Sequence, residues 1–119
     1  MDSKELGYLA ENIAARYLEG RGYEVIEKNY RKPWGEIDII ACKDGVVVFI
    51  EVKANRQETE GFEPEVRVNW RKRRKIERAA SLYLEHELCD TDCEWRIDVV
   101  GVTFNQLDKK AKVMHFKSI

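Results

Sequence analysis

The chain has 119 residues, of which 44% are hydrophobic and 36% are charged, and its formal net charge is −1. These values fit one globular domain and exclude a uniformly basic nucleic-acid-binding protein. No apolar run approaches the roughly 20 residues of a membrane helix, and the N-terminus lacks the regions of a signal peptide, so we expect a cytoplasmic location and no membrane partner.

The first predicted element is a helix over residues 3–20. Apolar side chains recur at helical spacing between Leu6 and Tyr17. Asp2, followed three residues later by Glu5, resembles a capping box at the helix start. The pattern predicts an amphipathic helix.

Five strands, a loop and a second helix follow. The β-branched and aromatic runs predict strands over 23–30, 36–42, 46–53, 96–104 and 112–117. Residues 54–69 lack periodicity, which indicates an exposed loop, and a helix is predicted over 70–88. The order α-β-β-β-α-β-β predicts a single α/β domain over 1–119, with helices flanking a mixed sheet.

The hairpin around Asp44–Gly45 sets the register of two of these strands. This dipeptide favours a two-residue turn. That turn places Asp38 opposite Glu51, and strand alternation puts Lys53 on the same face as Glu51. A three-residue turn would instead move Asp38 away from Glu51.

Asp38 and Glu51 then form a candidate site for a divalent cation. Opposed carboxylates repel each other, and they are costly to desolvate on a half-buried sheet. A few hard oxygen ligands suit Mg²⁺ or Mn²⁺, with positions left for water and phosphate. Lys53 would orient that water or neutralise a phosphate. The alternative is a set of cross-strand ion pairs that only solvate the sheet.

The spacing of these residues also carries a family resemblance. Asp38, twelve intervening residues and then Glu51-Val52-Lys53 resemble the PD-(D/E)XK nuclease signature. Ile37 stands where the name of that signature gives proline. The wider chain is similar to the YraN-type bacterial family, which is related to Holliday-junction-resolvase-like nucleases. The segments that carry this similarity include Gly35–Ala41, Val48–Lys53 and Arg96–Val100.

The resemblance implies a restriction-endonuclease-like core with a metal-dependent site. In that site Asp38, Glu51 and the backbone carbonyl of Val52 would bind the metal. Lys53 would be the remaining catalytic residue of the signature.

Glu11 matches a position at which resolvase-like relatives place an additional catalytic acid. Its small neighbours, Gly7, Ala14 and Ala15, favour a location against the sheet. The alternatives are a solvated helix acid and a partner of Lys53.

A basic segment lies near the start of the second helix. Residues 66–78 carry seven basic side chains and one acidic side chain. Consecutive helical residues point to every side, so we expect either Lys72 with Lys75 or Arg71 with Arg74 to face the site and contact phosphates. The alternative is a solvated outer face.

Two further residues have competing interpretations. Trp70 can stack on a base, but core packing or an interface is favoured. Asp98 can compete as a metal ligand, but a buried, hydrogen-bonded acid on a core strand is favoured.

Three functions remain open at this point. The first is hydrolysis of phosphodiester bonds in DNA with Mg²⁺ or Mn²⁺, with branched or single-stranded DNA as candidate substrates. The second is a nucleic-acid-binding module with the same fold and little or no catalysis. The third is a protein-interaction scaffold or homodimer, in which the acidic loop around Phe62 and the basic helix contact a partner.

Overall fold

The computed structural model describes residues 2–57, 69–88, 93–105 and 109–119. Two helices and five strands follow one another in the predicted order, so the predicted α/β class is confirmed. The elements are α1 (Ser3–Gly20), β1 (Glu24–Lys32), β2 (Gly35–Lys43), β3 (Val46–Gln57), α2 (Trp70–His86), β4 (Glu94–Asn105) and β5 (Lys110–Phe116).

The five strands form one mixed sheet in the order β1-β2-β3-β4-β5. β3 and β4 pair in parallel, whereas the other neighbouring strands are antiparallel. A parallel pair requires a crossover connection, and α2 lies in the segment that makes it.

The helices cover opposite faces of the sheet. Ala14 and Leu18 of α1 pack in one core cluster with Ile39 and Ile50, and Phe49 packs with α2 in the other. Asp2 caps α1, since its Oδ1 accepts a 2.8 Å hydrogen bond from the Glu5 N–H. Within the described ranges, neither helix is both long and apolar enough to cross a membrane.

The β2–β3 hairpin has the predicted two-residue turn. Lys43 pairs with Val46, and both turn residues have positive φ angles, 52° at Asp44 and 78° at Gly45. The three-residue alternative is therefore wrong. Pairing runs from the turn to Ile39 and Ile50, one pair short of Asp38 and Glu51.

The main difference from the prediction is the length of β3. Residues 54–57 were expected to begin a loop, but they continue the strand because they pair with β4 from Val102 to Asn105. The remainder of the predicted loop, 58–68, lies outside the described residues, as does Phe62. Gly7 does not pack closely against the sheet as Ala14 and Ala15 do, since a Cβ built there meets no other atom within 4 Å.

Candidate functional site

β2 changes the face that it presents at Asp38. Ile37 packs in the core cluster beneath α2, whereas Ile39 packs in the cluster beneath α1, although alternate strand residues normally share a face. Asn29 lies opposite on β1 and has a left-handed φ of 56°. Such local irregularities re-aim side chains in sheets. Here the break lies where β2 and β3 stop pairing.

The Asp38 carboxylate spans the gap between the two strands. Its Oδ2 accepts a 2.8 Å hydrogen bond from the Val52 N–H, and its Oδ1 lies 3.6 Å from Arg31 Nη2. The side chain is 17% exposed. Asp38 is therefore fixed beside Glu51, which precedes Val52 in β3.

Glu51 is a buried acid with a cationic partner. The residue is 7% exposed, and its Oε1 forms an ion pair with Lys72 Nζ from α2. Burial raises the pKa of Glu51, and the nearby Asp38 charge raises it further, whereas Lys72 and Lys53 lower it. The charge of Asp38 therefore opposes the ionisation of Glu51.

Glu11 reaches the same group from α1. It is 8% exposed, so the solvated-acid alternative is wrong. Its Oε1 lies 3.9 Å from Arg31 Nη2, and its Oε2 is buried without a hydrogen-bond partner in the described part of the chain. Burial raises the pKa of Glu11 and the Asp38 charge adds to this, whereas Asn29 and Arg31 lower it.

Arg31 is the residue of this group that the sequence patterns missed. Its Nε lies 3.0 Å from Glu36 Oε2, and its Nη2 faces both Asp38 and Glu11. The pairing of Arg31 with Glu36 across the β1–β2 turn is the signal that could have indicated it. Arg31 offsets part of the negative charge of three carboxylates.

A cleft of about 690 Å³ opens between the β1–β2 turn and α2, beside these acids. Its wall carries six cationic and three acidic side chains. The acidic ones are Glu36, Asp38 and Glu51, and the cationic ones are Arg31, Lys32, Arg71, Lys72, Lys75 and Arg78.

The cationic wall contains one predicted pair, Lys72 with Lys75, and one member of the other pair, Arg71. Arg71, Lys72 and Lys75 all line the cleft, together with Arg78, whereas the exposed Arg74 is not among its lining residues in the described ranges. Residues one, four and seven positions apart share this side of the helix because α2 turns every 3.6 residues. The predicted contacts with nucleic acid stay a prediction.

Gly35 forms a tight contact at the base of the cleft. Its φ is 150°, and an added Cβ would lie 3.0 Å from the Ala79 Cβ and 3.2 Å from the Lys75 carbonyl oxygen. The β1–β2 turn therefore approaches α2 through backbone and small side chains.

A family comparison places the chain among known sequences. The model described as "Uncharacterised protein family UPF0102" matches residues 10–102. The chain belongs to the UPF0102 family. A UPF0102 protein of Alkaliphilus metalliredigens is 43% identical over 115 residues, covering 96% of this chain and 95% of the relative. Another UPF0102 protein, from Desulforamulus reducens, is 37% identical over 118 residues, covering 97% of this chain and 94% of the relative.

Membership of UPF0102 confirms the YraN-type family inferred from sequence. The matched range includes Glu11, Asp38, Glu51, Lys53 and Lys72. The names of the two relatives state no activity or cofactor.

Trp70 of this UPF0102 chain is 65% exposed, so core packing is wrong, whereas the interface interpretation stays a prediction. Its ring lies 5.6 Å from the Arg71 guanidinium carbon. Trp34 instead lines the cleft, and its Nε1 donates a 3.3 Å hydrogen bond to Tyr30 Oη. The sequence analysis did not single out Trp34.

Asp98 belongs to a separate polar cluster on the α1 side of the sheet. It is fully buried; its Oδ2 lies 2.7 Å from His115 Nε2, and its Oδ1 accepts hydrogen bonds from the Ser118 N–H and Arg96 Nε. Burial acts to raise the pKa of Asp98, but these three partners outweigh it and lower the pKa. The favoured interpretation, a buried and hydrogen-bonded acid, is confirmed.

Over the described ranges, no group of three or more His, Cys, Asp and Glu side chains could hold a metal ion. The predicted ligand set contains two carboxylates, from Asp38 and Glu51, and the main-chain carbonyl of Val52.

Proposed function

We propose that this UPF0102 protein is a metal-dependent nuclease that hydrolyses phosphodiester bonds in DNA. The observation that carries the proposal is the position of Asp38 and Glu51, two largely buried acids, on the wall of a mainly cationic cleft. Phosphate groups favour such a wall, whereas a phosphodiester is repelled by the acids unless a cation lies between them.

The acidic group fits a divalent cation. Burial raises the pKa of both Glu11 and Glu51, and the charge of Asp38 raises it further. Glu11 Oε2 is a buried oxygen without a hydrogen-bond partner in the described residues. Hard oxygen donors from Asp38, Glu51 and the Val52 carbonyl suit Mg²⁺ or Mn²⁺. When bound, such an ion supplies charge that stabilises a phosphoryl group and acidifies water.

The chain's own side chains would position the DNA around this group. Lys53 shares the Glu51 face of β3 and would donate hydrogen bonds to the phosphate that is attacked. Arg71, Lys75 and Arg78 would bind flanking phosphates along α2. Glu11 would complete the acidic group from α1 and hold Arg31 in place.

Cleavage of a DNA panel tests the proposal. Linear, flapped, single-stranded and four-way DNAs are incubated with Mg²⁺ or Mn²⁺, and the wild type is compared with Glu51→Gln and Lys53→Met. We expect each substitution to lower the cleavage rate about 100-fold or more. Lys112→Met, which alters an exposed lysine of β5, is the matched control and should cleave as the wild type does. Equal residual activity in wild type, Glu51→Gln and Lys53→Met would reject the proposal.

The cationic wall also favours a second candidate, a nucleic-acid-binding module without catalysis. It predicts salt-sensitive DNA binding that survives Glu51→Gln, together with no cleavage by the wild type. The scaffold and homodimer alternatives predict salt-dependent self-association without DNA, which sedimentation at low and high salt measures. The cytoplasmic location also stays a prediction.

A further inference from the structure

Lys72 connects the open cleft with the buried part of the acidic group. Its side chain is 52% exposed and lines the cleft, whereas the Glu51 side chain with which its Nζ pairs is 8% exposed. The ammonium group therefore occupies the side of Glu51 that faces the cleft.

We propose that Lys72 is an exchangeable counter-ion, which neutralises Glu51 before a metal ion binds and moves to a substrate phosphate afterwards. The inference rests on the proposed function, because it assumes that Glu51 is a metal ligand. It assigns to Lys72 the coupling of metal binding to DNA binding.

Electrostatics requires the exchange. A divalent cation held by Glu51 would repel an ammonium group that contacts the same carboxylate. The ammonium is replaced by the stronger charge, and the flexible four-carbon stem of Lys72 lets it leave without movement of α2.

The released ammonium has a destination close by. Arg71 and Lys75 line the same cleft on the same helix, so Lys72 adds a further positive charge to the phosphate-facing wall. Without metal, the Lys72 ammonium group pairs with Glu51, and its charge then attracts a DNA phosphate less strongly.

Arg31 also pairs with acids of this group, but it differs from Lys72 in this respect. Its guanidinium donates to the carbonyl oxygens of Tyr30 and Ile37 and to Asn29 Oδ1, and it pairs with Glu36. These contacts fix Arg31 in one orientation. Of these two cations, Lys72 is therefore the one to which we assign the exchange.

The exchange makes metal and DNA bind cooperatively. Metal binding frees Lys72 for phosphate, and a phosphate that holds Lys72 leaves Glu51 open for metal. Thermodynamic linkage requires each ligand to increase the affinity of the other by the same factor.

Binding measurements with matched variants test the coupling. Mn²⁺ is titrated into wild type, Lys72→Met and Lys112→Met by calorimetry at about pH 8, well above the ordinary pKa of a carboxyl group. We expect Lys72→Met to bind Mn²⁺ about 5-fold or more tightly than wild type, because no ammonium has to be displaced. Lys112→Met, which alters an exposed lysine of β5, should bind as wild type does. Mn²⁺ should strengthen the binding of a short oligonucleotide to wild type and Lys112→Met more than to Lys72→Met.

A measurement on the unaltered protein avoids any effect of substitution on folding. Lysine acetylation is followed by mass spectrometry with and without Mn²⁺. We expect Mn²⁺ to accelerate acetylation of Lys72 several-fold relative to Lys75, and an added oligonucleotide to slow acetylation of both.

The outcomes separate the two proposals. Mn²⁺ binding by the wild type, with unchanged Lys72 acetylation and equal affinity in Lys72→Met, overturns the exchange and leaves the nuclease proposal standing. Absence of Mn²⁺ binding by the wild type and both variants overturns the metal-dependent function, and the exchange fails with it.

Discussion

The backbone N–H of Val52 donates a 2.8 Å hydrogen bond to Asp38 Oδ2 where β2 and β3 cease to pair. A side chain here satisfies a backbone donor that the neighbouring strand would otherwise satisfy. Asp38 therefore holds the hairpin together at the point where it also presents a carboxylate to the cleft.

Two substitutions of Asp38 should separate these roles. Asp38→Ala removes the acceptor of the Val52 N–H, and we expect it to lower the free energy of unfolding by about 1–3 kcal/mol. Asp38→Asn keeps a carbonyl acceptor and should stay close to wild type in urea unfolding. Both should lose Mn²⁺ affinity and cleavage. Equal destabilisation by the two substitutions would show that the hydrogen bond is not what Asp38 contributes to stability.

Glu11 should make the protein less stable as the pH rises. Its folded-state pKa is raised, first by burial and then by Asp38. The favourable contribution of Glu11 to the free energy of unfolding is therefore fully present below its pKa in the unfolded chain, about 4.3. That contribution is lost as the pH rises through the pKa in the folded protein. We expect Glu11→Gln to raise the melting temperature at pH 8 and to have little effect below pH 4.

The matched control for Glu11 is Glu19→Gln, on the exposed side of the same helix. Thermal unfolding followed by circular dichroism from about pH 4 to 8 compares the two. A melting temperature of Glu11→Gln that follows wild type at every pH would contradict the stated cost of the buried carboxylate. Gain of stability with loss of cleavage would indicate that the protein retains Glu11 for function.

Asp98 should have the opposite pH dependence. Its folded-state pKa is lowered because its hydrogen-bond partners outweigh burial. The contribution of Asp98 to the free energy of unfolding is present above its pKa in the unfolded chain, about 3.9. That contribution is lost as the pH falls through the pKa in the folded protein. We expect Asp98→Asn to cost about 3 kcal/mol at pH 7, measured by urea unfolding, and progressively less below about pH 4.

The location of Asp98 supplies a second readout for this substitution. Asp98 lies on the α1 side of β4, whereas Glu51 faces α2 across the sheet. The folded fraction of Asp98→Asn should therefore bind Mn²⁺ with wild-type affinity. A large loss of that affinity would place Asp98 in the metal site after all.

Two glycine substitutions should have effects of opposite sign. Gly35→Ala forces a Cβ to within 3.0 Å of the Ala79 Cβ at a φ of 150°. We therefore expect it to lower the free energy of unfolding by about 1–3 kcal/mol. Gly7→Ala adds a Cβ to open space inside α1, and should stabilise the protein by roughly 0.5–1 kcal/mol. Urea unfolding measures both. A neutral Gly35→Ala would mean that the turn can move away from α2.

The sequence predicted those parts of the site that depend on local chemistry. The Asp44–Gly45 turn determines the register of β2 and β3 because both residues accept positive φ angles, and this register brings Asp38 near Glu51. The resemblance to resolvase-like relatives indicated Glu11, and the helix pattern located the basic residues of α2. Residue type and spacing suffice wherever neighbours in space are also near in sequence.

The remaining parts depend on contacts between distant elements. The pairing of Lys72 with Glu51 requires the position of α2 over the sheet, and the exposure of Trp70 depends on where that helix begins relative to the cleft. The contact of Arg31 with Glu11 joins β1 to α1, and the left-handed φ of Asn29 nearby is one that asparagine adopts more readily than most residues but that its presence in a strand does not predict. Such contacts are decided by packing rather than by periodicity.

The connectivity of the sheet also bears on the order in which the protein folds. The β2–β3 hairpin closes a two-residue turn, whereas the parallel pairing of β3 with β4 must wait for a crossover that contains α2. Short loops close before long ones, so we expect Asp38 and Glu51 to meet in a nascent hairpin before Lys72 arrives from α2. Charge repulsion between the two acids should then slow an early step of folding. Millimolar Mn²⁺ in stopped-flow refolding should accelerate the folding limb of the chevron and not only slow unfolding.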